Sequence, residues 1–468
     1  MIRALLLTLL FIAPLLQAAT PVYVVLWFDT EDYIEPAADD AALRIARDLT
    51  AAGVRATFKV VGEKARVLES RGRHDVVEAL RKHAIGYHSN WHSVHPTPAE
   101  YLLHMGYLDG AQEFERREAP GVADVKRVFG TQPVCYGQPG NSWGPQSYPA
   151  LRRLAIPVYL DEGEQVGLDE QPFWYGGLLN VFRMGKNQFR AQLNVGAEDR
   201  TAYQRFDETA GRLAASGGGV ISIYYHPTEF VTTEFWDGVN FAHGANPPRD
   251  SWVKPRRRTA EESERCYGVL RKFVEHMKAQ PNVRFVTAGD LLPLYASPVP
   301  RPVDLKAIAE HLSGHIVFHE IAGQMLSPAD MLAALLNVEP EVIDGPVSPG
   351  GATTWRGPTI PAPAFQRAAA DTAEFVRRTH RLPSEVFIGA ETLSLADFAA
   401  TLAGHVLNSS GEVRVVRGQM EFDRYFATDP RKPFNWVIHA ESFSAGPLLD
   451  LGRLQGWTLK PARLLPVQ

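Results

Sequence analysis

Two histidines four residues apart, His88 and His92, are the strongest chemical feature of this sequence. If the segment between them is helical, both imidazoles lie on one face and can bind a single cation. The acidic cluster Asp29-Thr30-Glu31-Asp32 offers a carboxylate as the third ligand. A divalent metal held by two histidines and one carboxylate keeps positions open for water and substrate, which favours hydrolysis of an amide or an ester.

Further residues supply the proton transfers that such a hydrolysis needs. A second carboxylate of the acidic cluster, close to the metal but not bound to it, can act as the general base. His226 follows the apolar run 220–225 and can protonate the leaving group, and Asp161, near the end of another run, can orient that imidazole. Two histidines and one carboxylate also bind non-haem Fe(II) in oxygenases, but that interpretation leaves Asp29, Asp161 and His226 without a role.

The elements that must position these residues alternate between strand and helix from Pro21 to about Ala296. The apolar run 22–28 reads as a buried strand that ends at the acidic cluster, and Ile85-Gly86-Tyr87 leads directly into His88. Residues at the ends of successive parallel strands meet at one edge of a barrel or an open sheet. We therefore predict an α/β fold with the site at the strand ends.

Length and composition limit the other possibilities. With 468 residues the chain is expected to form two or three domains, and 45% hydrophobic residues are enough for a core. A net charge of -5 argues against a nucleic-acid partner. Cys135 and Cys266 either form a disulfide in an oxidising compartment or remain as two unpaired buried thiols.

The first residues are typical of a signal peptide, predicted over 1–18. Arg3 is the basic flank, 4–16 the apolar core, and Leu16-Gln17-Ala18 the cleavage site. The apolar run is short for a membrane span, although an uncleaved anchor stays an alternative. We expect an exported protein, periplasmic or extracellular, without a stable membrane span after cleavage.

The Pro-rich segment 297–302 has the composition of a linker between a domain at 20–298 and a second at 303–468. In the second, Ser327 and Ser394 are each followed three residues later by an aspartate, as in a capping box that opens a helix. We predict a smaller, mainly helical, repeat-containing domain. In the first, the long loop 227–259 is either a wall of a substrate groove or a solvated connector.

The same residues resemble those of the polysaccharide deacetylase (NodB-homology, carbohydrate esterase) family over residues about 20–295. The matching segments are 29–32, 56–62, 85–92, 128–140 and 219–226. The resemblance implies a distorted (β/α) barrel and metal-dependent removal of acetyl groups from glycans. It assigns Asp29 as catalytic base, His88 and His92 as metal ligands, His226 as acid and Asp161 as the partner of that acid. We expect the divalent metal to be Zn²⁺.

Two departures from the family pattern affect these assignments. The carboxylate ligand is ambiguous between Glu31 and Asp32, and we favour Asp32 because its shorter side chain is the family's type. The family's third motif normally carries an arginine that orients the base, whereas this chain has Gly137 and Gln138 there. Asp29 is then held differently, or the substrate differs from the usual N-acetylated glycan.

Two functions of different class follow from this reading. The first is an exported metal-dependent hydrolase that removes acetyl groups, by amide or ester cleavage, from a cell-wall or extracellular polysaccharide. The second is a glycan-binding protein on a catalytically silent deacetylase scaffold, suggested by the missing arginine. The C-terminal part resembles, more faintly, pseudomurein-binding repeats, which fits a module that holds an enzyme near an acetylated polysaccharide.

Overall fold

The computed structural model describes residues 20–195, 200–408 and 411–466, so the predicted signal peptide at 1–18 lies outside the described residues. The strands of the α/β part are β1 (Val22–Thr30), β2 (Thr57–Val60), β3 (Ala84–Tyr87), β4 (Cys135–Tyr136), β5 (Val158–Leu160), β6 (Phe173–Tyr175), β7 (Leu178–Val181), β8 (Gly219–Tyr225) and β9 (Val283–Val286). Its helices are α1 (Pro36–Ala51), α2 (Gly62–Ser70), α3 (His74–Leu80), α4 (Pro98–Leu102), α5 (Tyr107–Phe129), α6 (Ser147–Arg153), α7 (Thr201–Ala215), α8 (Trp236–Phe241), α9 (Ala260–Lys278) and α10 (Ala288–Leu291).

The C-terminal part combines helices with short strands. The helices are α11 (Leu305–Leu312), α12 (Pro328–Leu335), α13 (Ala362–Thr379), α14 (Leu395–Leu407) and α15 (Gly446–Leu454). The strands are β10 (His315–Ile316), β11 (His319–Ile321), β12 (Gln324–Leu326), β13 (Thr359–Pro361), β14 (Glu385–Ile388), β15 (Glu391–Ser394), β16 (Glu412–Arg414), β17 (Gln419–Met420) and β18 (Lys460–Pro461).

One large curled sheet runs through the α/β part in the order β18-β6-β7-β5-β4-β3-β2-β1-β8, and β9 also pairs with β1. Neighbouring strands from β7 through β5 to β8 are parallel, while β6 and β18 are antiparallel additions at the far edge. Helices in the connections cover the sheet. The prediction of an α/β fold of the distorted (β/α) barrel type is confirmed.

Strand β1 explains why the sequence there is apolar at almost every position. Val24, Leu26 and Phe28 pack into the main core beneath the helices, while Val25 and Trp27 pack into a second cluster on the opposite face of the sheet. Side chains along a strand alternate between faces, so a strand buried on both sides needs apolar residues of both parities. The odd-numbered positions lead directly to the acidic residues of the site.

The C-terminal part has an apolar core of its own and an internal repeat. In each half a β-hairpin leads into a helix, β11–β12 into α12 and β14–β15 into α14. Ser327 and Ser394 accept hydrogen bonds from the backbone N–H groups of Asp330 and Asp397, so both predicted serine caps are present. Only Asp330 completes the reciprocal capping box, because the Asp397 carboxylate instead binds Thr353, Arg417 and Gly418.

The chain beyond Glu421 returns to the α/β part. Phe422, Tyr425, Phe434 and Leu448 are buried in the main core, and β18 extends the large sheet at β6. The domain boundary at 303 stays a prediction. The mainly helical character predicted for the C-terminal part is not confirmed, because the short strands β10–β18 lie among its helices.

Two further features concern the cysteines and the length of the apolar helices. Cys135 and Cys266 are both buried and free, so the alternative of two unpaired thiols holds. Among the described residues, no helix combines the length and the apolar character needed to cross a membrane.

Candidate active site

Four neighbouring strands deliver the candidate residues to one place. In the order β3-β2-β1-β8 these parallel strands end side by side, and Asp29 is in register with Lys59. His88 follows β3 directly, and His226 follows β8 directly. The carboxyl ends of parallel strands meet at one edge of a sheet, so residues far apart in sequence become neighbours. Asp29, His88 and His226 lie together as the sequence indicated.

Glu31, His88 and His92 form a buried triad whose ligand atoms all lie within 4.8 Å of one another. The Oε2 atom of Glu31 is 2.8 Å from Nε2 of His92 and 3.4 Å from Nε2 of His88. Although Glu31 Oε2 is this close, His92 Nε2 makes no hydrogen bond of good geometry among the described residues. Three converging donor atoms with an orphaned imidazole nitrogen fit a divalent cation.

The segment 88–92 is a turn rather than a helix. Ser89 and His92 have left-handed backbone conformations, with φ of 65° and 56°, and the N–H of His92 donates to Ser89 Oγ at 2.9 Å. The two imidazoles still meet, with ring centroids 4.9 Å apart. The two imidazoles therefore lie side by side, but a turn and not a helix brings them together.

Hydrogen bonds to the Nδ1 atoms orient both imidazoles. His88 Nδ1 lies 3.0 Å from the Gly137 carbonyl oxygen, which can only accept, so Nδ1 carries the proton. His92 Nδ1 lies 2.7 Å from Ser93 Oγ. With Nδ1 protonated, Nε2 of each ring presents its lone pair to Glu31, as metal ligation requires.

Asp32, favoured above as the carboxylate ligand, does not lie with the imidazoles. Its Oδ1 accepts the N–H groups of Ile34 and Glu35 at 3.0 and 2.9 Å, and its Oδ2 accepts the Thr228 hydroxyl at 2.8 Å. Burial raises the pKa of Asp32 to about 6. Glu31, the alternative, takes the place beside His88 and His92. Positions 29 and 31 continue the face of Val25 and Trp27, whereas position 32 has the other parity.

Asp29 is held by a lysine that the sequence analysis did not identify. Lys59 Nζ lies 2.9 Å from Asp29 Oδ1 and 2.8 Å from Asp161 Oδ2, and it also donates to the Leu160 carbonyl at 2.9 Å. Burial lowers the pKa of Lys59, but the two carboxylates outweigh burial and raise it, so the side chain is an ammonium. Lys59 thus supplies a cation to the expected base in the absence of an arginine at 137 or 138.

Asp161 therefore has a different partner from the one predicted. It binds Lys59, and within the described residues its hydrogen bonds include no contact with His226. The carboxylate beside His226 belongs to Glu229, whose Oε2 lies 3.0 Å from His226 Nδ1 and accepts Arg190 Nη1 at 2.7 Å. The i,i+3 spacing of a capping box in His226-Pro227-Thr228-Glu229 was the sequence signal for this pair.

The charge state of His226 follows from this environment. Burial lowers the pKa of His226, but the hydrogen bond that Nδ1–H donates to Glu229 and the nearby Glu31 and Asp29 carboxylates outweigh burial and raise the pKa to about 9. His226 Nε2 lies 3.7 Å from Asp29 Oδ2. At neutral pH the imidazole is protonated and can donate a proton, while the paired Asp29 can accept one.

A small cavity of about 120 Å³ encloses these groups. Its walls include Glu31, His88 and His92 of the triad, together with Asp29 and His226. Four aromatic side chains complete the lining: Trp27, Tyr224, Phe235 and Trp436. This volume suits a small group rather than a whole sugar ring.

A larger cleft of about 670 Å³ adjoins the cavity at His92. Trp91 is 41% exposed there and lies against the Arg66 guanidinium. From the long loop, 247–249 and Trp252 line the same cleft, whereas Trp236 is fully buried. Part of the loop is thus a groove wall, as one of the two interpretations predicted.

Glu118 holds the histidine turn from behind. Its Oε2 accepts the backbone N–H of Asn90 at 2.8 Å and the hydroxyl of Tyr87 at 2.7 Å. Burial raises the pKa of Glu118 to about 7. The residue fixes the turn without lying beside the triad.

The chain matches no protein-family model and no curated protein sequence. Similar solved structures include the Xyl-CE4 domain of a multidomain xylanase from the hindgut metagenome of Trinervitermes trinervoides, with a TM-score of 0.30 and 15% identity over 58% of this chain and 90% of that chain. The peptidoglycan deacetylase PdaC from Bacillus subtilis has a TM-score of 0.28 and 12% identity, over 57% of this chain and 89% of that chain. PuuE allantoinase has a TM-score of 0.35 and 13% identity, over 58% of this chain and 89% of that chain.

Proposed function

We propose that this chain is an exported metal-dependent hydrolase that removes acetyl groups from a cell-wall or extracellular polysaccharide. The observation that carries the proposal is the cavity in which Glu31, His88 and His92 converge beside Asp29 and His226. The donor set of two imidazoles and one carboxylate suits Zn²⁺ with open positions. When bound, a divalent ion supplies Lewis acidity, which polarises a carbonyl and makes water more acidic.

Asp29 acts as the general base. Lys59 keeps its Oδ1 occupied, and Oδ2 faces His226 across 3.7 Å, so one oxygen stays available in the cavity. In the reaction, Asp29 removes a proton from water as the water oxygen forms a bond to the acetyl carbonyl carbon. The buried ammonium of Lys59 fixes the orientation of the base.

His226 acts as the general acid. Glu229 fixes its Nδ1, so Nε2–H is the proton that faces the cavity. As the C–N or C–O bond of the acetyl group breaks, His226 gives this proton to the leaving nitrogen or oxygen. Acetate and a free amine or hydroxyl are the products, and the proton held by Asp29 returns the pair to its starting state through solvent.

Polymer binding is assigned to the cleft that adjoins the cavity. The exposed indole of Trp91 and the half-buried Trp252 offer flat apolar faces with polar edges, which suit sugar rings. Because the cavity admits only a small group, the sugar chain lies in the cleft while a single acetyl group enters the cavity.

The alternative, a glycan-binding protein on a silent scaffold, arose from the missing arginine. Lys59 supplies a cation at the base, so the reason for that alternative is weaker. An iron oxygenase would leave the Asp29–Lys59 and His226–Glu229 pairs without a chemical task.

The test is acetate release from a panel of N-acetylated and O-acetylated glycans by purified, metal-analysed protein. We expect one divalent ion per chain and acetate release, and Asp29→Asn should lower turnover about a hundred- to ten-thousand-fold without losing the ion. A metal-loaded wild-type protein that binds polymer but releases no acetate from any member of the panel would favour the silent scaffold. Comparing the N-terminus of protein from culture medium or periplasm with the start of the sequence tests export.

A further inference from the structure

A tryptophan from the C-terminal part forms part of the active-site wall. Trp436 lines the small cavity, and its Nε1–H donates to Asp237 Oδ2 at 2.7 Å. We propose that Trp436 is a positioning residue for His92, acting through Asp237 and Ser93, so that the cation affinity of the triad depends on the C-terminal part. This inference rests on the proposed metal-dependent function.

Hydrogen bonds connect Trp436 to His92 through Asp237 and Ser93, and the donor of each bond can be assigned. An indole N–H can only donate, so Asp237 accepts from Trp436. The Ser93 hydroxyl donates to the same Asp237 Oδ2 at 3.0 Å, so Ser93 accepts from His92 Nδ1 at 2.7 Å. His92 Nε2 is then left unprotonated toward Glu31. A carboxylate that fixes a ligating histidine in this way is a common requirement of metal sites.

The middle members of this hydrogen-bond chain, Ser93 and Asp237, are fully buried, which makes the loss of a bond to either of them costly. Asp237 and Ser93 are both 0% exposed, so neither can replace a lost partner with bulk water. The other oxygen of Asp237 accepts the Gly238 N–H at 2.7 Å. Removing the indole N–H leaves a buried carboxylate with fewer donors, and such a carboxylate holds Ser93 and the imidazole less firmly.

The segment that carries Trp436 is held against the α/β part by the two residues that follow Trp436. The N–H groups of His243 and Gly244 donate to the carbonyls of Val437 and Ile438 at 2.8 and 2.9 Å. Ile438 is buried in a cluster with Trp236 and Phe241. These contacts place the indole at a defined position in the cavity wall.

A second contact connects Trp436 to the acid. Its ring meets Phe235 edge-on with centroids 5.4 Å apart, and Phe235 meets His226 edge-on at 4.9 Å. Trp436→Phe removes the N–H together with part of the ring, whereas Ser93→Ala breaks the same hydrogen-bond chain and leaves the Trp436 ring in place. The Ser93→Ala variant therefore separates the hydrogen-bond role from the packing role.

The test uses the full chain, stripped of metal and titrated with Co²⁺ while the visible absorption of the bound ion is followed. We expect Trp436→Phe to weaken Co²⁺ binding about tenfold or more, with Ser93→Ala giving a similar loss. The double variant should lose less Co²⁺ affinity than the two single variants combined, because both substitutions break the same chain of hydrogen bonds. Trp355→Phe is the matched control, since its indole donates to the Thr359 carbonyl within the C-terminal part.

The outcomes separate this inference from the proposed function. If wild-type protein binds Co²⁺, His88→Ala abolishes binding, and Trp436→Phe binds as tightly as wild type, the inference is overturned and the metal site stands. If wild-type protein binds no cation, both are overturned. A weakened affinity in Trp436→Phe, with the thermal unfolding midpoint and the Trp355→Phe affinity unchanged from wild type, supports the positioning role.

Discussion

Lys59 places its ammonium group 2.9 Å from Asp29 and belongs to the strand next to that of its partner. A lysine in the middle of a four-residue strand that is buried throughout is unusual, because an unpaired buried ammonium is strongly unfavourable. Here two carboxylates and a carbonyl surround it. The strand thus contributes a charge to the site instead of a core side chain.

Lys59→Met should therefore remove both stability and activity. Two buried carboxylates, Asp29 and Asp161, would lose their shared cation, which costs about 3–5 kcal/mol of unfolding free energy. Turnover per folded molecule should fall at least about a hundredfold, because the base is no longer held. Urea unfolding and acetate release measure the two effects.

The matched control for that change is Lys64→Met. Lys64 is equally buried and pairs with Asp39, away from the base. It should lose stability but keep turnover per folded molecule. Equal loss of turnover in both variants would contradict a specific role for Lys59.

Glu31→Gln and Asp32→Asn should differ in metal affinity. Glu31 lies with His88 and His92, so Glu31→Gln should weaken binding of a divalent cation, and added metal should recover part of the activity. Asp32 accepts backbone N–H groups at the start of α1, so Asp32→Asn should keep metal affinity and cost about 1 kcal/mol of stability. Isothermal titration of both apo-proteins is the measurement, and a larger affinity loss in Asp32→Asn would restore the original preference.

The pH dependence of activity should carry a descending limb from His226. The acid must be protonated, so activity falls as pH rises through the pKa of His226, which is about 9 because Glu229 and the other carboxylates outweigh burial. A nearby divalent cation lowers this value, so the limb is expected at or below pH 9. Glu229→Gln removes a carboxylate and should move the limb to lower pH by about one unit or more.

Asp207→Asn is the control for this shift, because it removes a carboxylate 2.8 Å from His276, away from the cavity. Its pH profile should match wild type. An unmoved limb in Glu229→Gln would show that His226 is not the group that titrates there.

Glu118 should make the protein less stable as pH rises from about 4.5 to about 7. Burial raises its folded pKa to about 7, whereas an unfolded glutamate titrates near 4.3. Between these values the folded state holds a proton that the unfolded state has lost, so unfolding becomes easier with rising pH, by up to about 3 kcal/mol. Glu118→Gln should flatten this slope and be at least as stable as wild type at pH 8.

Glu113→Gln, on the same helix, is the comparison for the slope. Hydrogen bonds from Arg116 lower the pKa of Glu113 to about 2, so its contribution has the opposite sign and is lost only in acid. Urea unfolding at pH 5 and pH 8 distinguishes the two variants. A slope retained in Glu118→Gln would assign the pH dependence to another group.

The sequence predicted those parts of the site that depend on chain direction. Asp29, His88 and His226 each follow an apolar run, and parallel strands bring such ends together. The choice between Glu31 and Asp32 depends on strand parity, whereas the preference for Asp32 rested on side-chain length alone. Their catalytic roles remain predictions.

Residues whose importance comes from a distant partner were not predictable in the same way. Lys59 is the charged residue of a short buried strand, and its role becomes visible only when Asp29 and Asp161 lie around it. Asp161 was given the wrong partner, because strand-end position does not say which neighbour a side chain faces. Trp436 lies in a segment with no sequence signal that points to the cavity.

The segment beyond Glu421 packs on the α/β part, so the cavity wall is completed only after this late segment has been synthesised. A chain is synthesised from its N-terminus, and early parts fold while later parts are still being made. Asp29, His88 and His226 are all present long before Trp436 and β18 emerge. Until this segment docks, the cavity lacks the part of its wall that Trp436 provides, and the proposed hydrogen-bond chain to His92 is incomplete.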